Sequence, residues 1–220
     1  MRKRVREIEF DVDAYTARLI GRENVSKLEG AVLEIVKNAY DADACVCCLY
    51  YSNTEDCVYI VDNGCGMKEE VLRTHWMTIG NSSKKNFYVT KNGRIQTGAK
   101  GIGRFALDRM SDKCDMLTIS EEGGLEWIVD WRDFDGSKKI SEVKAKVYDT
   151  DICLLEHVGS KNWRNQAVAS EIEKYDFSGT GTAFRLENLH DVWDERAMKR
   201  LKNHLENLLP PDVVQNFHIW

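Results

Sequence analysis

Three carboxylates and one amide stand where they could do chemistry together. Glu34, Asn38 and Asp41 fall within one short run, Glu-Ile-Val-Lys-Asn-Ala-Tyr-Asp-Ala, and Asp62 opens a second, Asp-Asn-Gly-Cys-Gly-Met. On a helix Asn38 lies about 40° from Glu34 and Asp41 about 20° to its other side, so the three make one narrow polar stripe. Leu28, Ala31, Val32, Ile35, Val36 and Ala39 form an adjoining apolar stripe, which places the polar groups along the edge of a core. A carboxylate there can orient a water, and a neutral amide oxygen can face a hard cation. No Lys or Arg falls on the stripe itself, which sets it apart from an ordinary solvated helix face.

Asp62 follows an apolar run, Cys57–Val61, and so stands at the C-terminal end of a strand. A carboxylate at that place can accept a hydrogen bond from the exocyclic amine of adenine. Gly64 and Gly66 would let the backbone turn tightly against a flat ring. Asp-Asn-Gly also reads simply as a turn. A third run, Gly98-Ala99-Lys100-Gly101-Ile102-Gly103, is neither a Rossmann fingerprint nor a P-loop, because its order is G-x-x-G-x-G and no Ser or Thr follows Lys100. Glycines leading into a helix still offer N–H groups to an anion. Between Glu70 and Asp108 there is no acid, while Arg73, Lys84, Lys85, Lys91, Arg94, Lys100 and Arg104 all fall inside. In a chain of net charge −5 that local positive field suits a polyanion such as a triphosphate. A nucleic-acid-binding loop is the alternative; it is possible but not indicated, since no regular basic–aromatic stripe accompanies the charges.

The elements that would position these groups are legible in outline. Periodicity predicts a helix over about 22–43, strands near 45–51 and 57–62, and a helix beginning near Lys68. A polar loop follows over 77–97, then a short helix after Gly103. Strands recur near 116–120, 127–131, 143–148 and 181–186, the last at Gly179-Thr-Gly-Thr182. A closing helix over 191–208 carries Trp193, Ala197, Leu201, Leu205 and Leu208 at core-facing spacing. Early alternation followed by adjacent strands predicts an α+β fold, a two-layer sandwich of a mixed sheet with helices on one face.

The 220 residues, 43% hydrophobic, fit one large domain and exclude a disordered chain. No apolar run of about 18 residues predicts a membrane span, and the basic N-terminus lacks the apolar core of a signal peptide. A cytoplasmic protein is the resulting expectation. Seven scattered cysteines read as buried free thiols, since Cys45 and Cys48 of the formal C-x-x-C would point to opposite faces of a strand.

Taken in order, the four runs resemble the N, G1, G2 and G3 boxes of the GHKL ATPase superfamily, which includes gyrase B subunits, the ninety-kilodalton heat-shock chaperones, histidine kinases and MutL. The resemblance runs from about Glu29 to Leu186, and the Glu34-x-x-x-Asn38-Ala-x-Asp41-Ala form is closer to MutL, MORC-type proteins and the chaperones than to the kinases. It implies a Bergerat fold binding ATP and Mg²⁺. Glu34 would be the general base and Asn38 the Mg²⁺ ligand, with Asp41 and Ala42 beside them. Asp62 would bind the adenine amine, Thr182 would support it through water, and Gly64, Gly66 and Met67 would pack along the ring. Ser82, Ser83 and Lys84 resemble the segment that opens the lid, and Gly98, Ala99, Lys100, Gly101, Ile102, Gly103 and Arg104 would wrap the phosphates.

The implied organisation is an N-terminal arm over 1–25, an ATP-binding domain over 26–209 with a lid at about 67–103, and the start of a linker or following region at 210–220. The resemblance implies Mg-dependent ATP hydrolysis, slow in isolation, that drives lid closure and ATP-dependent homodimerisation of a larger switch or clamp with further domains or partners C-terminal to this chain. A non-hydrolysing ATP-sensing module is the alternative. A histidine kinase catalytic domain is disfavoured, because no histidine precedes His75.

Overall fold

The computed structural model describes residues 11–23, 25–79, 89–96, 103–136, 138–160, 163–177, 179–208 and 217–219. Its frame is a seven-stranded sheet. The strands are β1 (Val46–Ser52), β2 (Cys57–Asp62), β3 (Ser111–Ser120), β4 (Gly123–Asp130), β5 (Lys146–Thr150), β6 (Gly181–Leu189) and β7 (His218–Ile219), in spatial order β5-β4-β3-β6-β2-β1-β7. All neighbours are antiparallel except β7, which runs parallel to β1, so the sheet is mixed and the fold is α+β as expected.

The helices are α1 (Ala14–Glu23), α2 (Leu28–Asp41), α3 (Glu69–Val71), α4 (Phe105–Met110), α5 (Leu154–Ser160), α6 (Gln166–Ile172) and α7 (Glu195–Leu208). Strand alternation sends Val58, Ile60, Cys114, Met116, Phe184 and Leu186 into one core with α1, α2, α4 and α7. Tyr59, Val61, Leu117 and Ala183 face the other way, into a second core closed by Leu154, Val158, Val168 and Ile172. The main helical layer therefore lies on one face, as expected, and the α5–α6 hairpin adds a smaller cover to the other. At seven residues each, about two turns, these helices are too short for their periodicity to stand out in the sequence. Every residue of β2 is buried, because this central strand is covered on both sides.

The helix expected over 22–43 runs over Leu28–Asp41 as α2, and the first two residues expected in it instead close a separate helix, α1. Val25 is buried beside Gly30, and the Ser26 carbonyl is turned out to accept from Arg109 Nε, so the chain changes direction between them. Residues 14–23, inside the expected arm, form α1, which packs on α4. The fully buried carboxylate of Asp108 fixes that contact: Arg18 Nε donates to it at 2.8 Å and Arg22 Nε at 2.9 Å, while Arg18 also reaches Asp135 at 2.6 Å. Residues 1–10 lie outside the described residues. At the opposite side Trp193, Ala197, Leu201 and Leu205 are buried as their spacing predicted, each large apolar side chain contributing about 1.5–3 kcal/mol. The expected start of that helix at 191 moves to Glu195.

Cys45 is exposed and Cys48 buried, and all seven cysteines are free thiols. Among the described residues no helix is long and apolar enough to cross a membrane.

Candidate functional site

Helix α2 presents the predicted stripe. Ala31, Val32, Ile35, Val36 and Ala39 are buried, while Glu34, Asn38 and Asp41 are half-buried at the margin of that face. One correction applies to the stripe. Lys37, one turn beyond Glu34 on the solvent side, places Nζ 3.1 Å from Glu34 Oε1, so the carboxylate has a cationic neighbour that lies just off the stripe. Both side chains are about one-third exposed, and such a pair is worth only tenths of a kcal/mol.

The C-terminal end of α2 is the platform for the second motif. The Ala42 carbonyl accepts from the Cys65 amide at 2.8 Å. Gly64 lies so close that a Cβ on it would meet Ala42 Cβ and O at 2.8 Å, which explains small residues at both places. Gly66 adopts φ +63°, and a Cβ there would fall 2.0 Å from the Ile119 carbonyl oxygen, so only glycine passes. Met67 follows, half-buried, with its amide donating to Thr118 Oγ1 at 2.8 Å.

Asp62 ends β2 and is 6% exposed. Its Oδ1 accepts the Gly64 amide at 2.9 Å, so the carboxylate closes the turn, and strand alternation sends it to the same face of the sheet as Val58 and Ile60. Burial pushes its pKa up to about 7, opposed by hydrogen bonds from the backbone of Gly64 and Thr182. The fourth motif arrives by strand register. Asp62 pairs with Thr182 across β2–β6, Thr182 pairs with Thr118 across β3–β6, and the two threonine hydroxyls are 3.2 Å apart. Thr180 Oγ1 donates to the Gly64 carbonyl at 2.7 Å, locking the fourth motif to the second.

Of the third motif, Gly98, Ala99, Lys100, Gly101 and Ile102 lie outside the described residues, as do Ser82, Ser83 and Lys84. Gly103 is placed directly over α2: a Cβ on it would sit 3.2 Å from Asn38 Nδ2. The last glycine of the run therefore lies at the amide of the first motif.

Two of the predicted cations are turned inward. Arg104 is 7% exposed; its guanidinium donates to the carbonyls of His75 (3.1 Å) and Thr78 (2.6 Å) at the end of the π-helical turn Leu72–Trp76, and burial lowers its pKa to about 10. Arg94 donates to the carbonyls of Tyr40 (3.2 Å) and Ala44 (2.6 Å) and stacks on the Tyr40 ring at 4.7 Å. It satisfies orphan carbonyls at the end of α2 and meets the negative end of the helix dipole. Asp43 joins it, accepting from Thr90 Oγ1 at 2.5 Å and the Asn92 amide at 3.2 Å. Residues 89–96 of the expected lid are thus a small turn pinned to α2, with Val89 bridged to Ile95.

Sequence reasoning missed Thr118, Asn63 and Arg94. Asn63 Oδ1 accepts the amides of Cys45 and Val46 and its Nδ2 donates to the Asp176 carbonyl, bracing the turn beside Asp62. Thr118 had a signal: it is a polar residue in the inward-facing register of Cys114 and Met116. Arg94 had none, because its partners are about 50 residues away in sequence.

A Mg²⁺ ion fits this donor set in one way. Among the described residues no group of three His, Cys, Asp or Glu could hold a metal, whereas a lone amide oxygen suits a cation that carries its other ligands as water and phosphate oxygens.

Residues 25–160 match the sequence profile of the family described as histidine kinase-, DNA gyrase B- and HSP90-like ATPase. The chain is 37% identical over 89 residues to a provisionally named type II restriction enzyme, HgiDII, of Herpetosiphon aurantiacus, a match spanning 40% of this chain and 14% of that protein. It is 28% identical over 149 residues to the chaperone protein HtpG of Buchnera aphidicola subsp. Baizongia pistaciae, spanning 60% of this chain and 23% of HtpG. The chain thus spans less than a quarter of the length of either relative.

Proposed function

Because the chain belongs to the family of histidine kinase-, DNA gyrase B- and HSP90-like ATPases, we propose that it binds Mg·ATP on the helical face of its sheet and hydrolyses it to drive a conformational switch. The observation that carries this reading is the buried carboxylate of Asp62, held in strand register with Thr182 and facing the same side as the α2 stripe. Asp62 accepts the adenine amine and Thr182 supports it through water. Gly64, Gly66 and Met67 bound the ring.

Asn38 would hold Mg²⁺, which would offset the charge of the phosphates. Glu34, at the open margin of α2, orients the attacking water as general base. Gly98 to Arg104 line the phosphates, and the segment that includes Ser82, Ser83 and Lys84 completes a lid over 67–103 that excludes bulk water. Within that scheme Arg104 joins the phosphate-lining run by its backbone, while its side chain braces the lid's first half, Nη2 donating to the carbonyls of His75 and Thr78. Lid closure couples to homodimerisation of a larger clamp- or chaperone-like protein, a reading supported by the match to a stretch of HtpG.

Two measurements test the proposal. Saturating ATP analogue with Mg²⁺ should raise the melting temperature of the wild type through linkage, and Asp62→Asn should remove the rise. Glu34→Ala should keep the thermal shift while phosphate release falls to background. No shift in the wild type rejects the site. Equal phosphate release by wild type and Glu34→Ala rejects hydrolysis and leaves a non-hydrolysing ATP sensor.

A further inference from the structure

Resting on the nucleotide reading above, we propose that Thr118 is a positioning residue that sets which way the Thr182 hydroxyl points and thereby selects adenine over guanine. A polar row runs across three strands. Asp62, Thr182 and Thr118 occupy paired positions on β2, β6 and β3, so their side chains leave the same face of the sheet side by side.

Thr118 is 0% exposed. Its oxygen already accepts the Met67 amide at 2.8 Å, and its hydroxyl hydrogen, sealed from water, must find an acceptor inside the protein. Among the described residues the acceptor in reach is Thr182 Oγ1 at 3.2 Å. A hydroxyl has one hydrogen to give. With Thr118 donating, Thr182 accepts on its inner side and keeps its own hydrogen for the site, which it borders at 6% exposure.

The site then offers an acceptor, Asp62, next to a donor, the water that Thr182 orients by donating its hydrogen to it. Adenine's edge carries a donor at N6 beside an acceptor at N1, which matches this order. Guanine carries an acceptor at O6 beside a donor at N1, which opposes it at both places. A site built to pair specific polar groups rejects a ligand that leaves them unpaired far more strongly than an apolar pocket can. The same Thr118 oxygen fixes the Met67 amide, so one buried hydroxyl ties the loop along the ring to the polarity of the base-reading row.

Isothermal titration of the full chain with ATP, GTP and 1-deaza-ATP (N1 replaced by C–H), each with Mg²⁺, tests the inference. Wild type should bind ATP roughly tenfold or more tightly than 1-deaza-ATP, the effect of one lost hydrogen bond in a buried place, and should discriminate more strongly against GTP. Thr118→Val should collapse the ATP to 1-deaza-ATP ratio towards one, and Thr118→Ser should restore it. In a Thr182→Val background, adding Thr118→Val should leave the ratio unchanged, because the hydroxyl it steers is gone. Thr118→Cys, similar in volume and a weak donor, carries the same comparison if the valine variant does not fold.

A ratio that survives Thr118→Val, with both affinities falling equally, would reduce Thr118 to a structural residue and overturn the inference. Equal binding of ATP and 1-deaza-ATP by wild type would overturn it without any variant and leave the nucleotide reading standing. A wild type that binds none of the three removes both.

Discussion

The two ends of the proposed site, one for the base and one for the phosphates, are held by different physics. At the base end Asp62, Thr182 and Thr118 sit on adjacent strands, almost fully buried, with their positions set by ladder register. A slip of one residue would turn them all to the other face, so backbone pairing and side-chain chemistry are a single constraint. At the phosphate end Glu34, Asn38 and Asp41 are half-buried on one helix, and Gly103, just ahead of α4, lies against Asn38. Helix α4 is seated by its buried apolar side chains and by the ion cluster of Arg18, Arg22 and Asp108 that joins it to α1. The base end is therefore fixed before any ligand arrives, while the phosphate end depends on how two helices are held.

The largest effect expected from this contrast is at Asp108. Asp108→Ala leaves the nearly buried guanidinium of Arg18 without its main partner and should cost about 3–5 kcal/mol in urea unfolding. If the loss is under about 1 kcal/mol, the phosphate end is not seated by this ion cluster. Next is Asp62→Asn, which keeps shape and, with its amide oxygen held by the Gly64 amide, turns a donor instead of an acceptor towards the base. ATP affinity should fall by about 100-fold or more by titration calorimetry, roughly 3 kcal/mol, with thermal stability of the nucleotide-free protein unchanged or higher. A comparable loss of stability would mean Asp62 is there for its turn alone.

The pH profile separates the ends further. The Asp62 pKa is about 7, raised chiefly by burial, so in the free protein the carboxylate is largely protonated below that value. ATP affinity relative to Asp62→Asn should weaken by up to about tenfold per pH unit as pH falls below about 7, and level off above it. The sign for folding is opposite. A carboxyl whose folded pKa is raised contributes stability below its unfolded pKa, and that contribution is lost as pH rises from about 4 to about 7. Asp62→Asn should flatten both trends. The smallest effect is expected at Lys37. Lys37→Ala should change stability and phosphate release by less than about 0.5 kcal/mol, since the pair with Glu34 is solvent-screened. A larger change in release would show that Lys37 tunes Glu34.

The helix stripe, the strands carrying Asp62 and Thr182, and the buried seam of Trp193, Leu201 and Leu205 were legible because each is periodic over a few turns or rungs. The α5–α6 hairpin was not, since seven residues do not display a helical period against a loop background. Helix α1, which falls within the expected arm, was not read as a helix; its seat depends on Asp108, 90 residues from Arg18. The acid-free cationic stretch was read as a field for phosphate. In the folded chain two of its members, Arg94 and Arg104, are engaged with backbone carbonyls. Charge counts report net field but not which groups are already occupied.

By itself the sequence determined the chemistry on offer: which carboxylates, amide and glycines exist, and the local period that puts each on a helix edge or strand end. Those are short-range properties, fixed within one turn or one rung. Only the tertiary structure decided what meets what. Thr180 closes on Gly64 across 116 residues, and Asp108 gathers its arginines from 86 and 90 residues away. Sheet order and helix docking set such contacts, because they follow from which faces can be buried together, a property of the whole chain.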